Sequence, residues 1–143
     1  MAEDIVATLN ALPGWTTEMG IVILTATPDE VTCAFEVGQK ASSQGFGIVH
    51  GGVHAGVVET LASIGAALVA KPRGQRVVGV ENSTSFIRAV RSGRLHANAR
   101  PVTRGRTSQV WEVWIRDEKE QLVAQGRDES DRVRYPGRHG RHP

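Results

Sequence analysis

The stretch His50-Gly51-Gly52-Val53-His54-Ala55-Gly56-Val57-Val58-Glu59-Thr60-Leu61-Ala62-Ser63-Ile64-Gly65-Ala66-Ala67-Leu68-Val69-Ala70 decides the fold of this chain. It is too long for a strand, and Lys71-Pro72-Arg73-Gly74 closes it with a cation, a proline and a glycine, so it predicts one long helix. Glu59 is the only ionised group between Lys40 and Lys71. A carboxylate in apolar surroundings is costly unless a partner or a ligand uses it. At about 100° per residue, Glu59 shares its side of the helix with Gly52, Ala55, Gly56, Ala62, Ser63, Ala66 and Ala70, all small. Val53, Val57, Leu61, Ile64 and Leu68 fall on the opposite arc, which predicts that this bulky stripe packs on a sheet. The shallow lane suits a closely packed backbone or a bound ligand. Ser63, four residues on, can hydrogen-bond to Glu59 or to whatever Glu59 acts on.

On the helix alone, two readings of Glu59 stand level. One is an ion pair with an arginine across a subunit interface. The other is chemistry. The glycines at the helix entry bear on the choice. Amides in the first helical turn lack intrahelical acceptors, and glycine lets a substrate approach them. Together with the helix dipole they can hold a developing oxyanion. Gly51 and Glu59 thus offer an electrophilic pocket and a base or nucleophile in one element.

Outward from the helix, Ala2 to Leu12 reads as a short amphipathic helix ended by Pro13-Gly14. Gly20 to Thr27 and Glu30 to Val37 read as strands joined at Pro28-Asp29. Gly38 to Val49 is a loop. After the long helix come four strand-like segments: Arg76 to Ala89, Arg94 to Thr103, Thr107 to Arg116, and Gln121 to Arg127 or beyond. Arg91-Ser-Gly, Arg104-Gly105 and Asp117 to Glu120 suit hairpin connections. Pro101 predicts a bulge or an unpaired end. Trp111, Val113 and Ile115 share one face of their strand, and Glu112, Trp114 and Arg116 the other. The order predicts an α+β fold: one antiparallel sheet wrapped around one central helix, with the last strands as a meander. Residues 1–136 are expected to form a single domain, with 137–143 a disordered basic tail.

The bulk numbers exclude several classes. The 143 residues allow one domain with a modest core. The net charge is only +2, and five of seventeen basic residues fall between Arg127 and Pro143. That is a basic end, not the basic face with interleaved aromatics of a nucleic-acid binder. Cys33 is the sole cysteine, so no intrachain disulfide forms and multi-cysteine zinc sites are excluded. No metal site is expected. The acidic start, Met1-Ala-Glu-Asp, lacks the positive charge of a signal peptide, and the helix carries Glu59 and His54. A cytoplasmic protein that does not cross a membrane is expected. His54 points away from Glu59 and reads as structural.

The pattern Gln-x5-His-Gly-Gly-x6-Glu-x3-Ser, from Gln44 to Ser63, resembles the hotdog-fold acyl-CoA thioesterases. It looks most like the Glu-type branch that includes the Arthrobacter-type 4-hydroxybenzoyl-CoA thioesterase. The PaaI-like phenylacetyl-CoA thioesterases are similar but usually place Asp at the acid position. Val78 to Arg88 and Gly105 to Trp111 also resemble that branch. The likeness runs from about Gly20 to Arg127. It implies that Glu59 is the nucleophile or general base and that the Gly51 N–H polarises the thioester carbonyl. Gln44 would orient the carbonyl or the attacking water, His50 would hold the loop or the thiolate side, and Ser63 would position water or Glu59. Arg88, Arg106 and Thr107 fall where the branch contacts the nucleotide of coenzyme A. The resemblance further implies a homo-oligomer, a dimer of dimers, with the site at a dimer interface. No cofactor is implied, since CoA is part of the acyl-CoA or aryl-CoA substrate. Phe46 and Trp15 suggest an apolar acyl pocket.

Two other classes share parts of this pattern. A non-catalytic acyl-CoA-binding protein would keep the pocket and release no thiol. A hotdog hydratase would typically need an Asp-x4-His pair, which the head of this helix lacks.

Overall fold

The computed structural model describes residues 4–38 and 45–133. Two short helices, α1 (Ile5–Ala11) and α2 (Trp15–Glu18), precede strands β1 (Val22–Ala26) and β2 (Val31–Val37). The long helix α3 (Gly51–Ala70) follows, then β3 (Val77–Phe86), β4 (Gly93–Arg104), β5 (Ser108–Arg116) and β6 (Leu122–Arg132). All strand pairs are antiparallel, and the six strands run in the order β1-β2-β4-β5-β6-β3. The expected sheet around one central helix is the observed architecture. Gln44, Arg134 and the 137–143 tail lie outside the described residues.

The strands form where side chains alternate. On β5, Gln109, Trp111, Val113 and Ile115 are buried while their neighbours are half-exposed. On β2, Val31, Cys33, Phe35 and Val37 turn inward. The pairing of β4 with β5 slips between Pro101 and Thr103, the bulge that a proline without an N–H demands.

One connection departs from expectation. Arg91-Ser92-Gly93 is not a hairpin, because β3 pairs with β6 and β4 pairs with β2 and β5. Burial explains it. β4 carries buried Leu95, Ala97 and Ala99 and takes a central place, whereas β3 is exposed along most of its length and suits an edge.

The helix meets the sheet differently from the wheel. Val53, Val57 and Leu61 are buried as predicted, but Ile64 and Leu68 are only half-buried, and Ala62, Gly65 and Ala66 lie fully beneath the sheet. The bulk comes from the sheet instead. A Cβ on Gly65 would stand 2.5 Å from the indole ring of Trp111, which is itself fully buried. A small helix face is what makes room for the benzo edge of that indole in the core. Glu59 therefore sits at the border of the packed face. α3 is long and apolar enough to cross a membrane by length and composition, but its inner face is packed on the sheet.

At its start, α3 is capped by its own His50, whose Nδ1 accepts from the Gly52 N–H at 2.8 Å. A Cβ on Gly52 would press on that ring at 2.8 Å, so the second glycine keeps the cap in place. At its end, a 3-10 turn over Lys71–Arg73 leads to Gly74 in the left-handed region, φ 65°, where glycine carries no steric cost.

Candidate active site

Glu59 lies where α3, β3 and β6 meet, beside a cleft. From α3 itself, the Ser63 Oγ donates to Glu59 Oε1 at 3.1 Å. From β3, Gly79 faces the carboxylate so closely that a Cβ there would stand 2.6 Å from Oε1. From β6, Asp128 brings a second carboxyl within hydrogen-bonding reach. On the remaining side the carboxylate opens to a cleft of about 360 Å³ walled by Leu9, Leu12, Trp15, Ile23 and Ile64.

The cleft exists because α1 is tied to the sheet edge. The Asn10 side-chain amide donates to the Ile23 carbonyl at 2.9 Å, and its Oδ1 accepts from the Ile23 N–H at 2.8 Å. Asn10 thus serves β1 as a partner strand would, and β1 is irregular between Ile23 and Thr25. Trp15 then closes over Gly56 of α3, where any side chain would collide with the indole. Trp15 lines the cleft as expected, whereas Phe46 is 84% exposed and does not. It lies on the loop before α3, with its carbonyl held by Arg91.

The other predicted residues fall into separate places. Gly51 is on the same helix as Glu59 but eight residues earlier, about 12 Å along the axis. One thioester carbonyl cannot touch both within a single chain, so the pairing expected within one element fails on distance. Gly51 lies beneath the Phe86 ring and lines a recess of about 230 Å³ with His54 and Arg88. His50 caps the helix, and because its Nδ1 accepts, the ring presents an Nε2–H. His54 is buried against Phe86, and burial lowers its imidazole to about 4, keeping it neutral.

Arg88 and the pair Arg106–Thr107 are also apart. Arg88 follows the end of β3, while Arg106 is joined near its start, its carbonyl accepting from the Gln75 side chain at 3.2 Å. Some 30 Å of strand separates them, at about 3.3 Å per residue. Thr107 borders an open depression shared with Glu129, Asp131 and Arg132. Arg104 is bound to Asp29 at 2.6 Å.

Sequence reasoning missed Asp128. It is 2% exposed and its Oδ2 has no hydrogen-bond donor among the described residues. Burial first, then the nearby Glu59, pushes its carboxyl well above the usual carboxylate range. Cys33 is likewise raised, to about 12, by burial in the core, which makes the thiol inert.

A family model for the thioesterase superfamily matches residues 46–124. The chain is 36% identical over 127 residues to Rv1847 of Mycobacterium tuberculosis, which carries a provisional name as an esterase; the match spans 87% of this chain and 90% of that one. It is 35% identical over 105 residues to the 1,4-dihydroxy-2-naphthoyl-CoA hydrolase of Listeria monocytogenes, spanning 73% and 84% of the two chains. Among solved structures it is similar to the thioesterase HI1161 of Haemophilus influenzae, with a TM-score of 0.82 and 30% identity over 93% of this chain and 91% of the other. Matched by the family model over more than half its length, and sharing the fold of the solved thioesterase HI1161, an antiparallel sheet wound around one helix, the chain belongs to the thioesterase superfamily and is a hotdog-fold thioester hydrolase.

Proposed function

We propose that this enzyme hydrolyses acyl-CoA or aryl-CoA thioesters to the free acid and CoA, with Glu59 as nucleophile or general base. The observation that carries the reading is the carboxylate itself: Glu59 is held by Ser63 at 3.1 Å and opens on an apolar cleft. An apolar cleft beside a fixed carboxylate suits an acyl chain or an aromatic ring, and the Listeria relative is named for an aromatic acyl-CoA. As a base, Glu59 takes a proton from water while the water oxygen bonds to the thioester carbon. The C–S bond then breaks, and the departing thiolate takes up the proton. As a nucleophile, its oxygen bonds to that carbon and expels the thiolate as the C–S bond breaks; water then adds its OH to the acyl carbon, freeing Glu59, and its proton goes to the thiolate.

The Gly51 N–H is the oxyanion donor in this reading, from a second copy of the chain. Two gaps in the single chain support that. Gly51 and Glu59 lie too far apart on one helix, and Arg88 and Arg106 lie at opposite ends of one strand. An antiparallel pairing of β3 with its symmetry mate closes both, because it lays the Arg88 end of one copy beside the Arg106 end of the other. His50 keeps the amide-bearing turn in place, and Gln44 orients the carbonyl or water from the preceding loop. Arg88, Arg106 and Thr107 hold the CoA phosphates. The cytoplasm, where CoA thioesters are made and used, is the compartment this reading assigns.

The test is release of free thiol from short, long and aromatic acyl-CoAs. Glu59→Gln is expected to lower kcat by at least about 10³-fold with an unchanged circular dichroism spectrum. Turnover within a few-fold of wild type would remove Glu59 from the mechanism.

A further inference from the structure

Asp128 is the only described carboxyl with its side chain buried to 2% exposure, and it faces the one residue on which the chemistry rests. It reaches that place by strand alternation. On β6, Ala124, Gly126, Asp128 and Ser130 turn inward, while Arg127 and Glu129 turn out. Its cross-strand neighbours are Asn82 on β3 and Trp111 on β5, neither of which can ionise. On α3 the group facing it is Glu59; His54, further up the helix, lies against Phe86. No arginine or lysine neutralises Asp128 among the described residues.

An ionised Asp128 would be untenable here. Its Oδ2 has no donor, and a buried carboxylate oxygen without a donor leaves its charge unsolvated. Two carboxylates within hydrogen-bonding reach also cannot both ionise cheaply. A single proton resolves both problems. Placed on the more deeply buried partner, it removes the unsolvated charge and gives Asp128 a hydrogen to donate to Glu59.

We infer that Asp128 is a positioning residue for Glu59: its carboxyl keeps a proton and donates it in a hydrogen bond to the Glu59 carboxylate, so that the two act as one singly charged pair. Glu59 then has two donors, the Ser63 hydroxyl and the Asp128 carboxyl, and its rotamer is fixed from α3 and from β6. The negative charge stays on the member that opens to the cleft. The reactive form carries one proton on the pair. Removing that proton turns Asp128 from donor to repelling neighbour, which gives turnover an alkaline limb.

The inference rests on the reading of Glu59 as the catalytic carboxylate, and the experiment separates the two. Three variants of the full chain are compared by thiol release: Asp128→Asn, Asp128→Ala and Glu59→Gln. Asparagine keeps a donor and cannot ionise. It is expected to hold kcat within about fivefold and to abolish the alkaline limb. Alanine removes the donor and is expected to lower kcat about ten- to a hundredfold with KM within about threefold. A second readout needs no activity. The infrared spectrum of the wild-type protein at neutral pH is expected to show the C=O stretch of a protonated buried carboxyl, absent from Asp128→Asn. Absence of that band from the wild type, or Asp128→Ala with wild-type kcat and an unchanged pH profile, overturns the inference. Full turnover in Glu59→Gln overturns instead the reading beneath it, whatever the infrared band shows.

Discussion

A carboxylate set two turns inside an apolar helix needs room as well as partners, and Glu59 gets its room from a missing side chain. Gly79 borders the β3 bulge but lies outside the left-handed region, so it is not there for conformational freedom. It is there because a Cβ would stand 2.6 Å from Glu59 Oε1. Gly79→Ala is therefore expected to push the carboxylate off its seat without straining the strand. Kcat should fall about a hundredfold, the usual scale for an ångström of misplacement, while the melting temperature stays within a degree or two. An unchanged kcat would show that the carboxylate tolerates that shift. At this scale the sequence was readable where spacing along one helix carried the information: Glu59 and Ser63 meet as four-residue neighbours should. Asp128 was not readable. It sits in Arg127-Asp-Glu-Ser-Asp-Arg, a run whose composition looks like a solvated face. The alternation begun at Ala124 and Gly126 was the signal that placed it inside, and it needed β6 to extend to Arg132. Gly79 left a fainter mark, an isolated glycine in a strand pattern, which signals a bulge or a close approach; both occur there.

At the scale of elements, α3 shows how a helix without a bulky stripe can organise a core. Small residues on its inner face let the sheet supply the volume, above all Trp111, whose Nε1 donates to Gln109 Oε1 at 3.0 Å while Gln109 Nε2 donates to the Ala66 carbonyl at 3.1 Å. The wheel assigned the packed face by size, and size misled because the large partner belonged to another element. Two effects compete at Gly65. Helix propensity favours alanine over glycine by about 1 kcal/mol. Against that, the new Cβ must displace a fully buried indole on which a central strand depends, at a cost of about 1–3 kcal/mol or more. Packing should win. Gly65→Ala is expected to lower the urea-unfolding free energy by about 1–2 kcal/mol, whereas Ala67→Ser, on the exposed side of the same turn, changes it by less than about 0.5 kcal/mol. A stabilised Gly65→Ala would mean the indole moves freely. The strands themselves were legible from alternation, but their order was not. Loop length suggested that β3 and β4 pair, and only burial shows that a polar, exposed β3 belongs at the edge.

That edge governs the whole molecule. β3 and the residues after it leave Val78, Val80, Phe86 and Ile87 between 51% and 61% exposed, beside a row of backbone groups that β6 does not use. An unprotected apolar edge invites another strand. Of the partners available, a second copy of β3 is the one that also completes the chemistry proposed for Glu59 and Gly51. Lysines block edge pairing by charge and by the solvation they require. The double variant Val78→Lys, Val80→Lys is expected to sediment as a 15.4 kDa monomer and to lose thiol release even though Glu59, Ser63 and Asp128 are untouched. A shared site makes a sharper demand. Glu59→Gln and Gly51→Pro, which removes the oxyanion N–H at a position that tolerates proline, should each be inactive alone, with only the exposed Phe86 ring displaced in the second. Mixed after dissociation and reassociation, they form mixed dimers in which one of the two sites has both native groups. About a quarter of wild-type turnover should then return. A mixture that stays inactive would confine the reaction to groups within one chain, and a fully active lysine monomer would take the Gly51 amide out of the mechanism while leaving Glu59 in it.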